Sequence, residues 1–227
     1  MTYGFNPAAE YRAELKSDGP FTVYHAGRQV GEFRIRQFGE KNISNAVAVI
    51  AFLHRNGFAP EAIARVLETF EGANRRQQML FADDAIRIFD DYGHHPVEIR
   101  AALQAGRMLC GNNKLVAVVQ PHRYSRLADL FDDFCGCFND ADEVLVADVY
   151  AAGETPIPGV SRDDLVNGLR DRGHRGPAAL QAPEGLAAEI MSRTGEGDLV
   201  MCLGAGDITG WAARLPEEMD ALREAGS

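Results

Sequence analysis

The sequence predicts an α/β protein, with a mainly parallel, doubly wound sheet over residues 76–227 and a smaller α+β segment over residues 1–75. Three observations predict it. From Arg76 onward, short apolar runs alternate with amphipathic stretches of helical spacing, the rhythm of parallel strands joined by crossover helices. The strand candidates, such as Leu115-Val116-Ala117-Val118-Val119, are almost wholly apolar, as strands covered on both faces must be. Four of these runs end in polar or glycine-rich loops, at residues 90–96, 120–126, 148–154 and 204–207. Ligands of such sheets bind beyond the carboxyl ends of the strands, so the edge carrying these loops is the candidate site.

The elements follow in chain order. Residues 21–24 and 30–36 flank Ala26-Gly27 and predict a hairpin. A helix is expected over about 43–56, with Ala46, Val49, Ile50 and Leu53 as its apolar face and Gly57 as its stop. Pro60 opens a second helix, since proline suits a first turn; Ile63, Val66, Leu67 and Phe70 form its buried stripe and Gly72 ends it. A second hairpin, 78–81 with 85–89, leads to the first polar loop. The next helix has Pro96 in its first turn and carries Ile99, Leu103, Met108 and Leu109. Beyond the strand at 115–119, one helix is expected to carry Leu127, Leu130, Phe131, Phe134 and Phe138. Then come a strand at 143–147, a helix near 163–172, a short strand near 178–181, a helix at about 184–192 and a strand at 198–203. Gly204-Ala205-Gly206 resembles part of a dinucleotide turn. It lacks the third glycine and a following helix of convincing length, so it reads as a tight strand-to-helix turn leading into terminal helical segments.

Composition narrows the function. A chain of 227 residues can bury one good core or two modest ones, and 46% hydrophobic with 25% charged residues is ordinary for a globular protein. A net charge of −10 argues against a nucleic-acid partner, which requires a cationic surface; local arginines can still receive a small anion. No apolar run reaches the ~20 residues of a membrane helix, and the first residues carry no secretory signal. The expectation is a cytoplasmic protein without a membrane partner. Cys110, Cys135, Cys137 and Cys202 show neither Cys-x-x-Cys nor zinc spacing and are expected as reduced thiols; no metal site is expected.

The loop Asp90-Asp91-Tyr92-Gly93-His94-His95-Pro96 packs two carboxylates, a phenol and two imidazoles between a strand and a helix. Asp90 or Asp91 can accept ribose hydroxyls or bind a hard cation, and His94 can donate to a carboxylate or shuttle a proton. The plainer alternative is a capped helix start, which accounts for the acids and Pro96 better than for Tyr92 and His94. Zinc held by His94, His95 and His122 is disfavoured, because adjacent histidines seldom converge on one ion. The loop Gln120-Pro121-His122-Arg123-Tyr124-Ser125-Arg126 brings two guanidiniums to a helix start, where they oppose the macrodipole. An anionic ligand, held bidentately, offsets that cost. Arg76, beside Arg75 at the junction of the two segments, is either a hinge arginine facing a transferring phosphoryl group or a solvated linker charge. The chain contains no Gly-x-x-x-x-Gly-Lys-Ser/Thr phosphate loop.

These two loops, followed in order by Asp148-Val149-Tyr150-Ala151-Ala152-Gly153-Glu154-Thr155-Pro156-Ile157 and Gly204-Ala205-Gly206-Asp207-Ile208, resemble the Mur ligase family. Thr2-Tyr3-Gly4-Phe5 and Phe70-Glu71-Gly72-x-x-Arg75-Arg76 match as well, so the likeness runs from the first residues to about Leu215. The resemblance implies that residues 1–75 are the terminal part of a central ATP-binding domain and residues 76–227 a carboxy-terminal, Rossmann-like domain. It implies an ATP-dependent carboxylate–amine ligase of peptidoglycan precursor synthesis. That ligase adds L-alanine to UDP-N-acetylmuramate through an acyl phosphate, with ATP and Mg2+ as its cofactors. Without the phosphate loop and a UDP-sugar domain, these residues are expected to be inactive alone and to bind no cofactor tightly.

Carried over by position, the resemblance assigns Asn42 and Asn45 to the adenine and ribose of ATP, and Arg76 to its phosphates. Asp91 is the carboxylate that meets the nucleotide when the domains close. Tyr92, His94, His122, Arg123 and Arg126 surround the alanine and the reacting carboxylate, with Arg76 and His94 as the catalytic pair. The family usually has His-Asn where this chain has Lys41-Asn42, and lysine can neither stack nor accept a hydrogen bond as imidazole does. Two alternatives are a related ligase that reattaches recycled murein tripeptide and a non-catalytic binding module.

Overall fold

The structure, a computed structural model, describes residues 1–16, 19–37, 39–70, 72–83 and 85–225; Glu71 of the Phe70-to-Arg76 motif lies outside the described residues. The chain divides into two compact units, Met1–Ala73 and Asn74–Ser227, so Arg75 and Arg76 both belong to the second.

The first unit is a four-stranded sheet, in the order β1 (Tyr3–Gly4), β2 (Tyr11–Leu15), β3 (Phe21–His25) and β4 (Arg28–Phe33), with helices α1 (Glu40–Arg55) and α2 (Pro60–Thr69). The β3–β4 hairpin turns on Ala26 and Gly27, both at positive φ (49° and 77°), as in the two-residue turns whose twist suits paired strands. Tyr11, Phe21, Val23 and Phe33 of the sheet meet Val47, Ile50, Ala51, Ile63 and Leu67 of the helices in one core. The sequence reading missed β1 and β2. β1 has two residues, and only Tyr11 and Ala13 of β2 are buried, too short a run to show alternation.

Two apolar faces need correction. Val49 is 47% exposed; α1 instead buries Ala46, Val47, Ile50 and Ala51. On α2, Ile63 and Leu67 are buried while Val66 is exposed. Successive residues differ by about 100° around a helix, so Val49 and Val66, each one before a buried residue, fall outside the packed stripe. Phe70, also exposed, lies beyond the end of α2 as its cap.

The second unit is a six-stranded sheet of β5 (Gln78–Ala82), β6 (Ile86–Asp91), β7 (Leu115–Val119), β8 (Glu143–Val146), β9 (Pro177–Ala179) and β10 (Asp198–Leu203). Their spatial order is β5-β6-β10-β7-β8-β9, and every pairing is parallel except the β5–β6 hairpin. The α/β expectation therefore holds. Every residue of β7 and β10 is buried, which is why β7 and, after Asp198, β10 read as unbroken apolar runs. The helices are α3 (Pro96–Cys110), α4 (Tyr124–Asp129), α5 (Phe131–Cys135), α6 (Arg162–Asp171), α7 (Leu186–Arg193) and α8 (Ile208–Ala225). Ile88, Val118, Leu145 and Val200 of the sheet pack with Ile190 of α7 and with Ile208, Ala212, Leu215 and Met219 of α8.

The single helix expected over 127–138 is two short ones, broken at Leu130 (φ −119°, ψ 22°); Phe138 is buried but lies past their end. On α3, the expected Ile99 and Leu103 are buried together with Ala102 and Gly106, while Met108 and Leu109 are exposed. The terminal helical segments expected after Gly206 are one continuous helix of 18 residues, with Pro216 inside it. Proline normally marks a break, and it masked the helical spacing of Ile208, Ala212, Leu215 and Met219. All four cysteines are free and buried, and burial pushes each thiol pKa up. Among the described residues no helix is long and apolar enough to cross a membrane.

Leu145 is fully buried at the middle of β8. Leu145→Ala is expected to lower the stability of the second unit by about 2–5 kcal/mol. Hydrogen exchange of the β7 and β8 amides measures it; unchanged protection would contradict the packing described.

Candidate functional site

The parallel register brings the carboxyl ends of three central strands level. Leu203 of β10 sits opposite Asp91 of β6 and Val119 of β7. Beyond the strands the ladder continues: Gly204 N donates to the Asp91 carbonyl at 3.1 Å, Gln120 N to the Leu203 carbonyl at 3.0 Å and Ala147 N to the Val119 carbonyl at 2.9 Å. Arg123 N and Tyr150 carbonyl, 2.9 Å apart, and Tyr150 N and Pro121 carbonyl, 2.8 Å apart, tie the loop after β7 to the loop after β8. The four loops singled out from the sequence thus rise side by side.

Asp91 is spent largely on backbone. Its carboxylate accepts from Gly93 N at 2.7 Å and Gln77 N at 2.9 Å. Burial pushes its pKa up, and the two amides and Arg76 pull against that. Asp90 is 1% exposed, with the Arg75 Nε 3.6 Å from its Oδ2. Burial raises its pKa too, opposed by Arg75 and Thr209. Arg75 also donates to the Gly204 carbonyl at 2.8 Å, and its guanidinium lies 4.7 Å from the Tyr92 ring centre. Arg76 lies 5.7 Å from the same ring and 3.8 Å from Glu98 Oε1.

His95 and Glu98 form a capping box at the start of α3. Glu98 does more than cap: besides the His94 and His95 amides, its carboxylate lies 3.7 Å from His94 Nδ1. Burial would raise the Glu98 pKa, but these donors and Arg76 outweigh it and hold it low. His94 Nδ1 lies 2.9 Å from the Tyr92 carbonyl, which can only accept. The neutral ring therefore carries its proton on Nδ1 and keeps a lone pair on Nε2.

His122 has the opposite tautomer. Arg126 Nη1 lies 3.1 Å from its Nδ1, and an arginine can only donate, so the neutral ring carries its proton on Nε2. Burial first, and then Arg126, push the His122 pKa down. The rings of Tyr92, His94, His122 and Tyr150 form a chain of contacts, with centroids 5.1, 5.6 and 5.5 Å apart. Arg123 occupies the N-cap of α4 at φ 72° and makes no side-chain cap bond. For a residue other than glycine that conformation is unfavourable by about 1–2 kcal/mol. Glu154, from the loop after β8, accepts from Ser125 N at 2.9 Å and Ser125 Oγ at 2.7 Å, and lies 3.9 Å from Arg123 Nη1. Those bonds hold the Glu154 pKa down.

A cleft of about 230 Å³ is lined in part by Tyr150, Gln120, Asp148, Leu180, Asp207 and Trp211. Gln120 is buried and both ends of its amide are bonded: Oε1 accepts from Ile208 N at 3.1 Å at the start of α8, and Nε2 donates to Asp207 Oδ1 at 2.5 Å. A Cβ on Gly206 would stand 2.7 Å from the Tyr150 ring and closer still to Gln120 Oε1.

Of the residues expected from sequence, the edge of the second unit brings together Arg76, Tyr92, His94, His122, Arg123 and Arg126, with Asp91 buried beneath them. In the first unit, Asn42 and Asn45 stand three residues apart near the start of α1, so they share a side of the helix. Sequence reasoning missed Arg75, Glu98, Gln120, Tyr150, Glu154 and Asp207 as partners. Glu98 carried a signal in its place three residues after a helix cap; the others act across loops far apart in the chain. Among the described residues no group of three or more His, Cys, Asp or Glu could hold a metal ion.

Residues 74–206 match the family described as Mur ligase, glutamate ligase domain. The chain is 49% identical over 235 residues to the UDP-N-acetylmuramate–L-alanine ligase of Phenylobacterium zucineum, covering 100% of this chain and 49% of that relative. It is 52% identical to the ligase of the same name from Methylobacterium nodulans, covering 99% of this chain and 50% of that one. The crystal structure of a UDP-N-acetylmuramate-alanine ligase from Thermotoga maritima superposes with a TM-score of 0.81 at 28% identity, over 98% of this chain and 48% of that protein. The chain spans about half the length of the curated relatives it matches.

Two measurements check this geometry. In an NMR pH titration His122 should gain its proton below the ordinary 6.5, and Arg126→Gln should move that midpoint upward without restoring it fully, since burial remains. By linkage, the stability contributed by the neutral ring is present above about 6.5 and lost as pH falls through its lower folded value. A midpoint at or above 6.5 would contradict the assignment. Gly206→Ala should destabilise the second unit by about 1–3 kcal/mol and disturb the Tyr150 and Gln120 side-chain resonances; unaltered spectra would show that the turn has room.

Proposed function

We propose, from the premise that the chain belongs to the Mur ligase family, that its second unit is the amino-acid end of an ATP-dependent ligase joining L-alanine to UDP-N-acetylmuramate. The observation that carries the reading is the cluster of Arg123, Arg126, His122 and His94 on one strand-end edge of a chain whose net charge is −10. Guanidiniums gathered there against the general charge suit a carboxylate ligand. The names of the relatives support alanine as the amino acid.

In this reading Arg123 and Arg126 hold the alanine carboxylate, and His122 adds its Nε2–H as a neutral donor. Tyr92 and His94 face the reacting carboxylate of the sugar substrate. ATP supplies the phosphoryl group that turns that carboxylate into an acyl phosphate. The alanine amine then attacks the acyl carbon, the C–N bond forms, and phosphate leaves with the electrons of the C–O bond. The attacking amine must shed a proton, and in this reading the Nε2 lone pair of His94 takes it, with Glu98 beside the resulting imidazolium. Arg76 contributes positive charge toward the transferring phosphoryl group, and Asp91 is the second unit's proposed contact to the nucleotide. Within the first unit, itself read as the end of a central ATP-binding domain, Asn42 and Asn45 are the proposed contacts to adenine and ribose. The described residues offer Mg2+ no cluster of ligands.

The test joins this chain to the amino-terminal half of the Phenylobacterium zucineum relative in one polypeptide. Phosphate release should then require ATP, UDP-N-acetylmuramate and L-alanine together. Arg123→Ala or Arg126→Ala should raise the KM for alanine at least about tenfold. Preference for a murein tripeptide over alanine would replace this reading with tripeptide reattachment, and a folded chimera without turnover would favour a binding module.

A further inference from the structure

Glu154 belongs to no loop that the reaction above uses, yet its carboxylate bonds twice to one that it does. The start of α4 lacks a local cap, because Arg123 occupies the N-cap and its side chain makes no such bond. The amide and hydroxyl of Ser125 are met instead by the two oxygens of Glu154, from a residue 29 positions away. The turn that delivers this carboxylate is itself built for the purpose: Ala152 and Gly153 both take positive φ (50° and 88°), and Glu154 N closes it on the Ala151 carbonyl at 3.0 Å. Arg123, between these two clamps, is held at φ 72° by its own amide bond to the Tyr150 carbonyl and lies with Nη1 3.9 Å from Glu154 Oε1. Its side chain stays 51% exposed, so the contact leaves most of the guanidinium open to a ligand.

We propose that Glu154 is a positioning residue of the amino-acid site, closing the start of α4 from the neighbouring loop and fixing Arg123 for an incoming carboxylate. A left-handed arginine persists only where its surroundings over-determine it, and here those surroundings are Tyr150 and Glu154, both on the loop after β8. The negative charge matters as well as the hydrogen bonds. It compensates an arginine placed against the helix macrodipole before the substrate carboxylate arrives. Glutamine at this position would keep an acceptor for Ser125 but lose that compensation, which separates capping from charge.

The inference rests on the amino-acid reading of this edge, and the experiment keeps the two apart. In the chimera described above, Glu154→Gln should raise the KM for L-alanine about tenfold while kcat and the KM for ATP stay within about twofold and the melting temperature is retained. Ser125→Ala, which removes one bond and leaves the charge, should raise the alanine KM less and covers the case in which Glu154→Gln does not fold. Wild-type kinetics in Glu154→Gln, alongside a raised alanine KM in Arg123→Ala, would overturn the positioning role alone. Unchanged alanine KM in both would overturn the amino-acid reading and this inference with it. A fall in kcat at constant alanine KM would also overturn the proposal, since positioning of a binding arginine acts on KM.

Discussion

The second unit depends on the seating of β10 between β6 and β7. Six consecutive buried residues make it the centre of the sheet, and parallel pairing on both sides levels Leu203 with Asp91 and Val119. A shift of β10 by one residue would turn its whole side-chain pattern over and carry Gly204 away from the Asp91 carbonyl. The loops of the candidate site have little regular structure of their own. Their positions follow from three strand ends brought level by apolar packing more than ten residues away in sequence.

Above that scaffold the electrostatics are paired loop by loop. Three cations that face the edge have a carboxylate from a different segment: Arg75 has Asp90, Arg76 has Glu98, and Arg123 has Glu154, while Arg126 meets His122 of its own loop. The buried acids at the base, Asp90 and Asp91, are raised by desolvation, whereas Glu98 and Glu154 are held low by the donors they accept from. Proton linkage therefore works in opposite directions across one site. Asp90 and Asp91 contribute stability that is present at acid pH and lost as pH rises through their folded values, while Glu98 contributes stability lost as pH falls. The two histidines differ as well. One ring presents a lone pair and the other an N–H, each set by what its Nδ1 touches.

Much of the fold was legible in the sequence because its signals were local. The apolar runs at 115–119 and 199–203 are strands for the reason that they are buried on both faces, and the Ala26-Gly27 and Pro96 signals each mark the turn and the helix start that form there. What failed also failed for local reasons. Pro216 hid the continuity of α8, and Val49 and Val66 are apolar residues one step off the packed stripe.

By itself the sequence determined the α/β class of the protein, the strand-end loops that carry its polar chemistry, and the arginines and histidines that give those loops their character. These depend on residue type and near-neighbour spacing, which a linear chain displays. Only the tertiary structure decided which nitrogen of His94 and of His122 carries the proton, that Asp91 is occupied by Gly93 and Gln77, and that Glu154 rather than a local residue closes α4. The Asp91–Gln77 and Glu154–Ser125 bonds join segments that meet only when the parallel sheet sets its loops side by side. The His94, His122 and Asp91–Gly93 contacts lie within single loops whose backbone course is set by the strand ends and helix starts that hold them.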